Sequence, residues 1–226
     1  MNMTAINKRR GALLPHWTKP RGVYSVTFRL ADALPRSVIE EWCRERADIL
    51  RTACILHRNL SFHERVRLQE LHEKLEQHMH KGYGACWMRR CDIAQVVANA
   101  LNHFAEKRYR LFAWCVMPNH VHVVFQPFPG YSLSGILHSW KSFTAKRANI
   151  LLGRRGEFWQ EEYYDHLIRD PEDFLHCIEY VWTNPDVAGL QSWKWRWRVP
   201  PLPHNHVQDA RETTAKMAVV LPRGIS

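Results

Sequence analysis

No apolar run in the sequence approaches the roughly 20 residues that a membrane-spanning helix needs, and the N-terminal stretch MNMTAINKRRGALLPHWTKPRG lacks the continuous apolar core of a secretory signal. The expectation is a soluble, cytoplasmic chain with no membrane partner. Paired cysteines are missing as well. Cys43, Cys54, Cys86, Cys91, Cys115 and Cys177 show no CxxC spacing, which argues against a disulfide framework and a thiolate zinc knot and leaves reduced, half-buried fillers. Internal repeats and long low-complexity tracts are absent, so the chain reads as one core with appendages. Acid is in deficit, with 22 Asp+Glu against 32 Lys+Arg and a formal net charge of +10. Such a surface attracts polyanions over distance, and nucleic acid is the default partner.

What is present, 226 residues of which 46% are hydrophobic, suffices for one globular core. A basic arm spans residues 1–22, the core 23–198, and an extended or disordered tail 199–226. Residues 23–30 are β-branched and aromatic and read as a strand. Residues 38–50 have helical spacing, and 61–80 form a highly charged helix with Leu68, Leu71 and Leu75 on one stripe, read as an exposed helical insertion. An amphipathic helix follows over 92–107. Two apolar strands, 109–117 and 121–125, are separated only by Pro118-Asn119-His120 and form a hairpin. Residues 131–152 are helical, 163–168 form a strand, and 171–183 form a helix opened by Asp170-Pro171 and closed by Asn184-Pro185. This order predicts an α+β fold, an antiparallel sheet with helices packed on one face.

Three constellations could carry chemistry. In Met117-Pro118-Asn119-His120-Val121-His122 the two histidines stand two apart on a strand, share a face, and can present two imidazoles to one cation. The plainer alternative is a pair of hydrogen-bonded histidines at a sheet edge. On the final helix His176, Tyr180 and Asn184 follow at i, i+4 spacing, leaving a tyrosine beside an amide. Tyrosine serves as a covalent nucleophile where a cation or base assists it, and otherwise packs by its ring. Basic residues interleave with aromatics at Lys141, Lys146, Arg147, Arg154 and Arg155. They do so again in Trp193-Lys194-Trp195-Arg196-Trp197-Arg198. Extended, that last run would set a stacking platform beside a phosphate rail for single-stranded nucleic acid. The alternative is an edge strand whose tryptophans cover the core.

Taken together and in order, residues 109–124, 138–145, 158–169 and 179–190 resemble the REP-associated tyrosine transposases of the single-tyrosine HUH superfamily, over about residues 20–198. The resemblance implies a ferredoxin-like fold of the HUH nuclease type and a metal-dependent endonuclease that cuts and rejoins single-stranded DNA. Implied substrates are repetitive extragenic palindromic (REP) hairpins flanked by a guide tetranucleotide, met by a nucleoid-associated monomer or homodimer. By position, His120 and His122 match the pair that holds Mg²⁺ or Mn²⁺, Tyr180 the nucleophile, and Asn184 the third, polar metal ligand. Residues 35–80 are a helical insertion relative to the shortest members of the family. A catalytically silent hairpin-binding regulator and a hydrolytic metalloenzyme that activates water remain alternatives.

Overall fold

The computed structural model describes residues 7–10, 15–18, 21–56, 58 and 60–200. The tail from residue 201 and the rest of the N-terminal arm lie outside them. Within the arm, β1 (Asn7–Arg10) and β2 (Pro15–Thr18) pair antiparallel.

The main sheet starts at β3 (Val23–Arg29). Helices α1 (Arg36–Ile55), α2 (Phe62–His80) and α3 (Cys91–His103) precede β4 (Tyr109–Val116), which turns tightly into β5 (His120–Pro127). Helix α4 (Leu133–Leu151), β6 (Tyr164–Ile168), α5 (Pro171–Val187) and β7 (Arg196–Arg198) complete the order. The strands lie β6-β3-β5-β4-β7, and every adjacent pair is antiparallel. The first four strands in that row make the ferredoxin-like arrangement, with β7 added at the β4 edge. The central strand β5 is buried along its whole length, with Val121, Val123 and Phe125 on one face and His120, His122, Val124 and Gln126 on the other.

Helices cover both faces of the sheet, which corrects the expectation of one covered face. On one side Tyr24, Val26, Phe28, Val121, Val123 and Phe125 pack against Ile93, Val97 and Leu101 of α3 and Ile136, Leu137 and Trp140 of α4. On the other, Phe112, Cys115, Met117 and Val124 meet Cys177, Ile178 and Val181 of α5. The rest of that second face carries Thr27, Arg29, His120 and His122, and α1 and α2 close over it. Helix α2 is therefore exposed only on its outer side, because Leu71, Leu75, Glu76 and Met79 are buried. Sequence periodicity exposes an apolar stripe but not the surface that receives it.

Helix α2 is held at both ends. Ser61 and Glu64 form a reciprocal capping box, in which the Ser61 N–H donates to Glu64 Oε2 at 2.7 Å. Beyond its C-terminus, Gly84 has φ +83° and a Cβ there would fall 2.5 Å from the Asp32 carbonyl oxygen. The next N–H, of Ala85, donates to Asp32 Oδ2 at 2.8 Å and ties the turn to the loop after β3. Helix α5 starts as the sequence suggests, with the Asp170 side chain accepting from Asp173 N–H at 2.9 Å. It does not stop at Asn184-Pro185. Pro185 lies inside the last turn, which the bonds Ala188 N–H to Asn184 O and Leu190 N–H to Pro185 O hold together. Asn184 is thus a helical residue one turn past Tyr180.

Candidate active site

His120 and His122 alternate with Val121 on β5, so the valine joins the apolar face and both imidazoles point to the face under α2 and α5. They are 0% and 1% exposed. Each has its Nδ1 engaged from outside: Asn119 Oδ1 accepts from His120 at 2.7 Å, and Thr27 Oγ1 lies 2.8 Å from Nδ1 of His122. The two Nε2 atoms are thereby turned toward each other at 2.9 Å. Outer partners of this kind fix the tautomer and ring orientation of metal-ligating histidines.

The third member comes from α2. Glu76 Oε2 lies 3.4 Å from Nε2 of His122 and 3.7 Å from Nε2 of His120. Glu76 is buried, and neither carboxylate oxygen has a hydrogen-bond partner. Burial by itself would raise its pKa; the facing His122, with His72 and His120, outweighs that and holds the carboxyl well below the usual range. His120 is pushed the other way, below the ordinary histidine value, by burial first and then by His122. A buried carboxylate with no hydrogen-bond donor, beside two imidazoles whose Nε2 atoms converge, is a donor set short of a cation. The ligand atoms of Glu76, His120 and His122 all lie within 4.8 Å of one another, so the residues present fit one divalent ion.

Tyr180 sits on α5 with its ring 5.4 Å from that of His122, edge to face. Its phenol oxygen is buried without a hydrogen-bond partner. Burial, and next the Glu76 charge, drive its pKa far above the ordinary tyrosine value, so the phenol is protonated. Asn184 is buried one turn further along, and its Oδ1 accepts from His80 Nε2 at 3.2 Å. The structure therefore brings His120, His122, Tyr180 and Asn184 together and adds Glu76. The signal for Glu76 is present in the sequence as His72, Glu76 and His80 at i, i+4, i+8 on one helix. It was obscured because the helix is otherwise so highly charged.

The basic and aromatic residues are not gathered at this site. Lys146 and Arg147 are exposed on α4, against the opposite face of the sheet. Arg155 is exposed after α4, and Arg154 donates to the Glu157 carbonyl at 3.0 Å. Lys141 Nζ donates to the carbonyls of Gln160 and Glu161 at 2.6 and 2.7 Å; burial lowers its pKa to about 8. Of the two readings of the tryptophan run, Trp193 and Trp195 take the one in which they cover the core rather than form an open stacking platform. Trp195 is buried, and the half-buried Trp193 donates its indole N–H to the Val116 carbonyl at 2.8 Å. Large aromatic surfaces at an edge strand gain more by covering the core than by facing water. Arg196 and Arg198 stack on Trp182 of α5, with guanidinium-to-ring distances of 4.5 and 4.7 Å. They also pair with Asp186 and Glu179 of the same helix. Lys194 remains exposed, 4.9 Å from the Trp195 ring.

Residues 86–181, which contain both histidines and the tyrosine, match the family described as "Transposase IS200 like". The REP-associated tyrosine transposase of Escherichia coli K12 is 25% identical over 84 residues, covering 37% of this chain and 48% of the relative. An uncharacterized protein of Haemophilus influenzae is 28% identical over 102 residues, covering 42% and 54%. The chain spans about half the length of the curated relatives it matches. A solved structure of a REP-associated tyrosine transposase bound to a REP hairpin shares 14% identity at a TM-score of 0.45, with 96% of this chain and 89% of that chain covered. Over residues 86–181 the chain is similar to the IS200-like transposases, and the REP-associated tyrosine transposase of Escherichia coli K12 is among the proteins it resembles.

Proposed function

We propose that this chain is a site-specific single-stranded DNA endonuclease and strand transferase acting on REP-type palindromic hairpins with a guide tetranucleotide, through a covalent bond to Tyr180. The observation that carries the reading is the placement of the Tyr180 ring 5.4 Å from His122, whose Nε2 converges with that of His120 at 2.9 Å. A nucleophile and a cation-binding pair on separate elements have no structural need to meet in this way.

His120 and His122 would hold Mg²⁺ or Mn²⁺. Glu76 is the third donor within reach, while Asn184 has its oxygen engaged by His80. An ion held there would supply Lewis-acid stabilisation of the charge that develops on the scissile phosphate. Thr27 and Asn119 keep the imidazoles in the orientation that leaves both Nε2 atoms free. Tyr180 Oη attacks phosphorus, the bond from phosphorus to the 3′ oxygen breaks, and the phenol proton ends on that oxygen. The products are a 5′-phosphotyrosyl ester and a free 3′-hydroxyl. The charge of Glu76 acts on the phenol, so its carboxylate is a candidate to receive the proton in transit. Because the ester retains the phosphate in activated form, a second 3′-hydroxyl can displace Tyr180 and rejoin strands without ATP.

The test is incubation of the protein with a labelled single-stranded REP-type hairpin and Mn²⁺, followed by a denaturing gel. The expected result is a labelled band shifted by the mass of the protein, lost with chelator and lost in Tyr180→Phe, which still binds the hairpin within about threefold of wild type. Cleavage that persists in Tyr180→Phe without an adduct would instead favour the hydrolytic metalloenzyme.

A further inference from the structure

Buried polar atoms without a hydrogen-bond partner are concentrated where the sheet meets α1 and α2. They include Arg29 Nε and Nη1, Trp42 Nε1, His72 Nδ1, both oxygens of Glu76 and the Tyr180 phenol. A cation answers the needs of Glu76 and the histidines. It does not answer those of Arg29, a permanently charged group that is 2% exposed. Arg29 stands opposite His120 in the antiparallel register of β3 and β5, so its side chain leaves the sheet on the face that carries the histidines. Thr27, the outer partner of His122, is its same-face neighbour two residues back on β3. Its guanidinium carbon lies 5.8 Å from the Trp42 ring. The charge of Arg29 is felt by Glu76, His72 and His120.

We propose that Arg29 is the phosphate-binding residue of this site, donating from its guanidinium to the non-bridging oxygens of the scissile phosphodiester as Tyr180 attacks. This rests on the transposase reading and adds to it a residue that lies outside the matched segment 86–181. A guanidinium beside a dication leaves net positive charge even after Glu76 and Glu162 are counted, which favours a further anion between them. A phosphodiester is a monoanion with two oxygens of suitable geometry for the arginine fork. The phosphate reaches Arg29 only when the cover formed by α1 and α2 lifts, since Arg29 and the Tyr180 phenol are both buried beneath it.

A structural arginine and a phosphate-binding one respond oppositely to substitution. An arginine that stabilises the fold costs stability when removed, whereas one held unpaired for a ligand relieves strain when replaced by an apolar residue of similar volume. The experiment compares wild type, Arg29→Met and Arg29→Lys. It measures thermal midpoints with and without inorganic phosphate in the metal-free protein, and adduct formation on the Mn²⁺-loaded protein with the single-stranded hairpin. We expect free Arg29→Met to melt at or above wild type, and phosphate to raise the midpoint of wild type but not of Arg29→Met. The adduct rate should fall by about 100-fold or more in Arg29→Met and by less in Arg29→Lys. An Arg29→Met protein that melts several degrees below wild type, or a phosphate shift equal in both, overturns the assignment. If wild type forms no adduct, the transposase reading fails, while the phosphate arm still decides whether Arg29 binds that anion.

Discussion

At the scale of single residues, the second ring nitrogen governs what each histidine can do. Asn119 accepts from His120 Nδ1, so the Nε2 lone pair of the neutral ring is free to bind a cation. Thr27 lies in the matching position beside His122. Thr27→Val removes that partner while keeping shape, and Mn²⁺ affinity measured by electron paramagnetic resonance should fall about 10- to 100-fold, the usual cost of losing an outer partner. Glu76→Gln should weaken Mn²⁺ binding at least as much. Unchanged Mn²⁺ affinity in Glu76→Gln would remove Glu76 from the ligand set. Elsewhere, Asp173 accepts from His166 Nε2 at 2.8 Å. Burial acts to raise its pKa, but His166 and the Arg169 N–H outweigh burial and hold the carboxyl below its ordinary value. The sign follows from linkage: the stabilisation is fully present above the unfolded carboxyl value of about 4 and is lost as pH falls through the lower folded value. Urea unfolding should find Asp173→Asn destabilised at pH 7, with the gap from wild type closing as the pH is lowered below about 4.

At the scale of elements, α2 joins the site to its cover. Leu71, Leu75 and Met79 pack with Trp42, Cys43 and Ile49 of α1 into a cluster apart from the main core. The same helix delivers Glu76 to the histidines, and Asn119 Nδ2 donates to the Met79 carbonyl at 3.1 Å. Leu75→Ala should cost about 2–5 kcal/mol within that cluster. Amide exchange should then accelerate across residues 62–80 while the strands β3, β4 and β5 stay protected. Uniform acceleration through the sheet would mean that the helical pair and the core unfold as one unit. Helix α5 works differently: its apolar stripe of Cys177, Ile178 and Val181 packs on the sheet and leaves Tyr180 pointing along the face toward His122. The stripe was legible in the sequence, whereas the continuation of the helix through Pro185 was not. A proline is a local stop signal, and here the hydrogen bonds of the final turn override it.

At the scale of the whole molecule, the basic residues named above are, among the described residues, spread over several elements rather than gathered on the face that carries the histidines. Lys146 and Arg147 project from α4 on the far side of the sheet, while Arg196 and Arg198 are already paired on α5. If Lys146 and Arg147 contact phosphates of the hairpin, replacing both with Gln should reduce the salt dependence of binding. The slope of log affinity against log salt should become shallower by about 0.7 per contact. An unaltered slope would remove α4 from the DNA-binding surface. By itself the sequence determined the strand and helix order, the shared face of His120 and His122 and the i, i+4 spacing of Tyr180 and Asn184. These follow from periodicities of about two and 3.6 residues that act over a few positions. Only the tertiary structure decided that α2 closes on the histidines, that Glu76 meets them from 44 residues upstream of His120, and that Trp193 and Trp195 turn inward. Those outcomes depend on which surfaces meet when apolar stripes are buried, and local spacing does not record the identity of the partner surface.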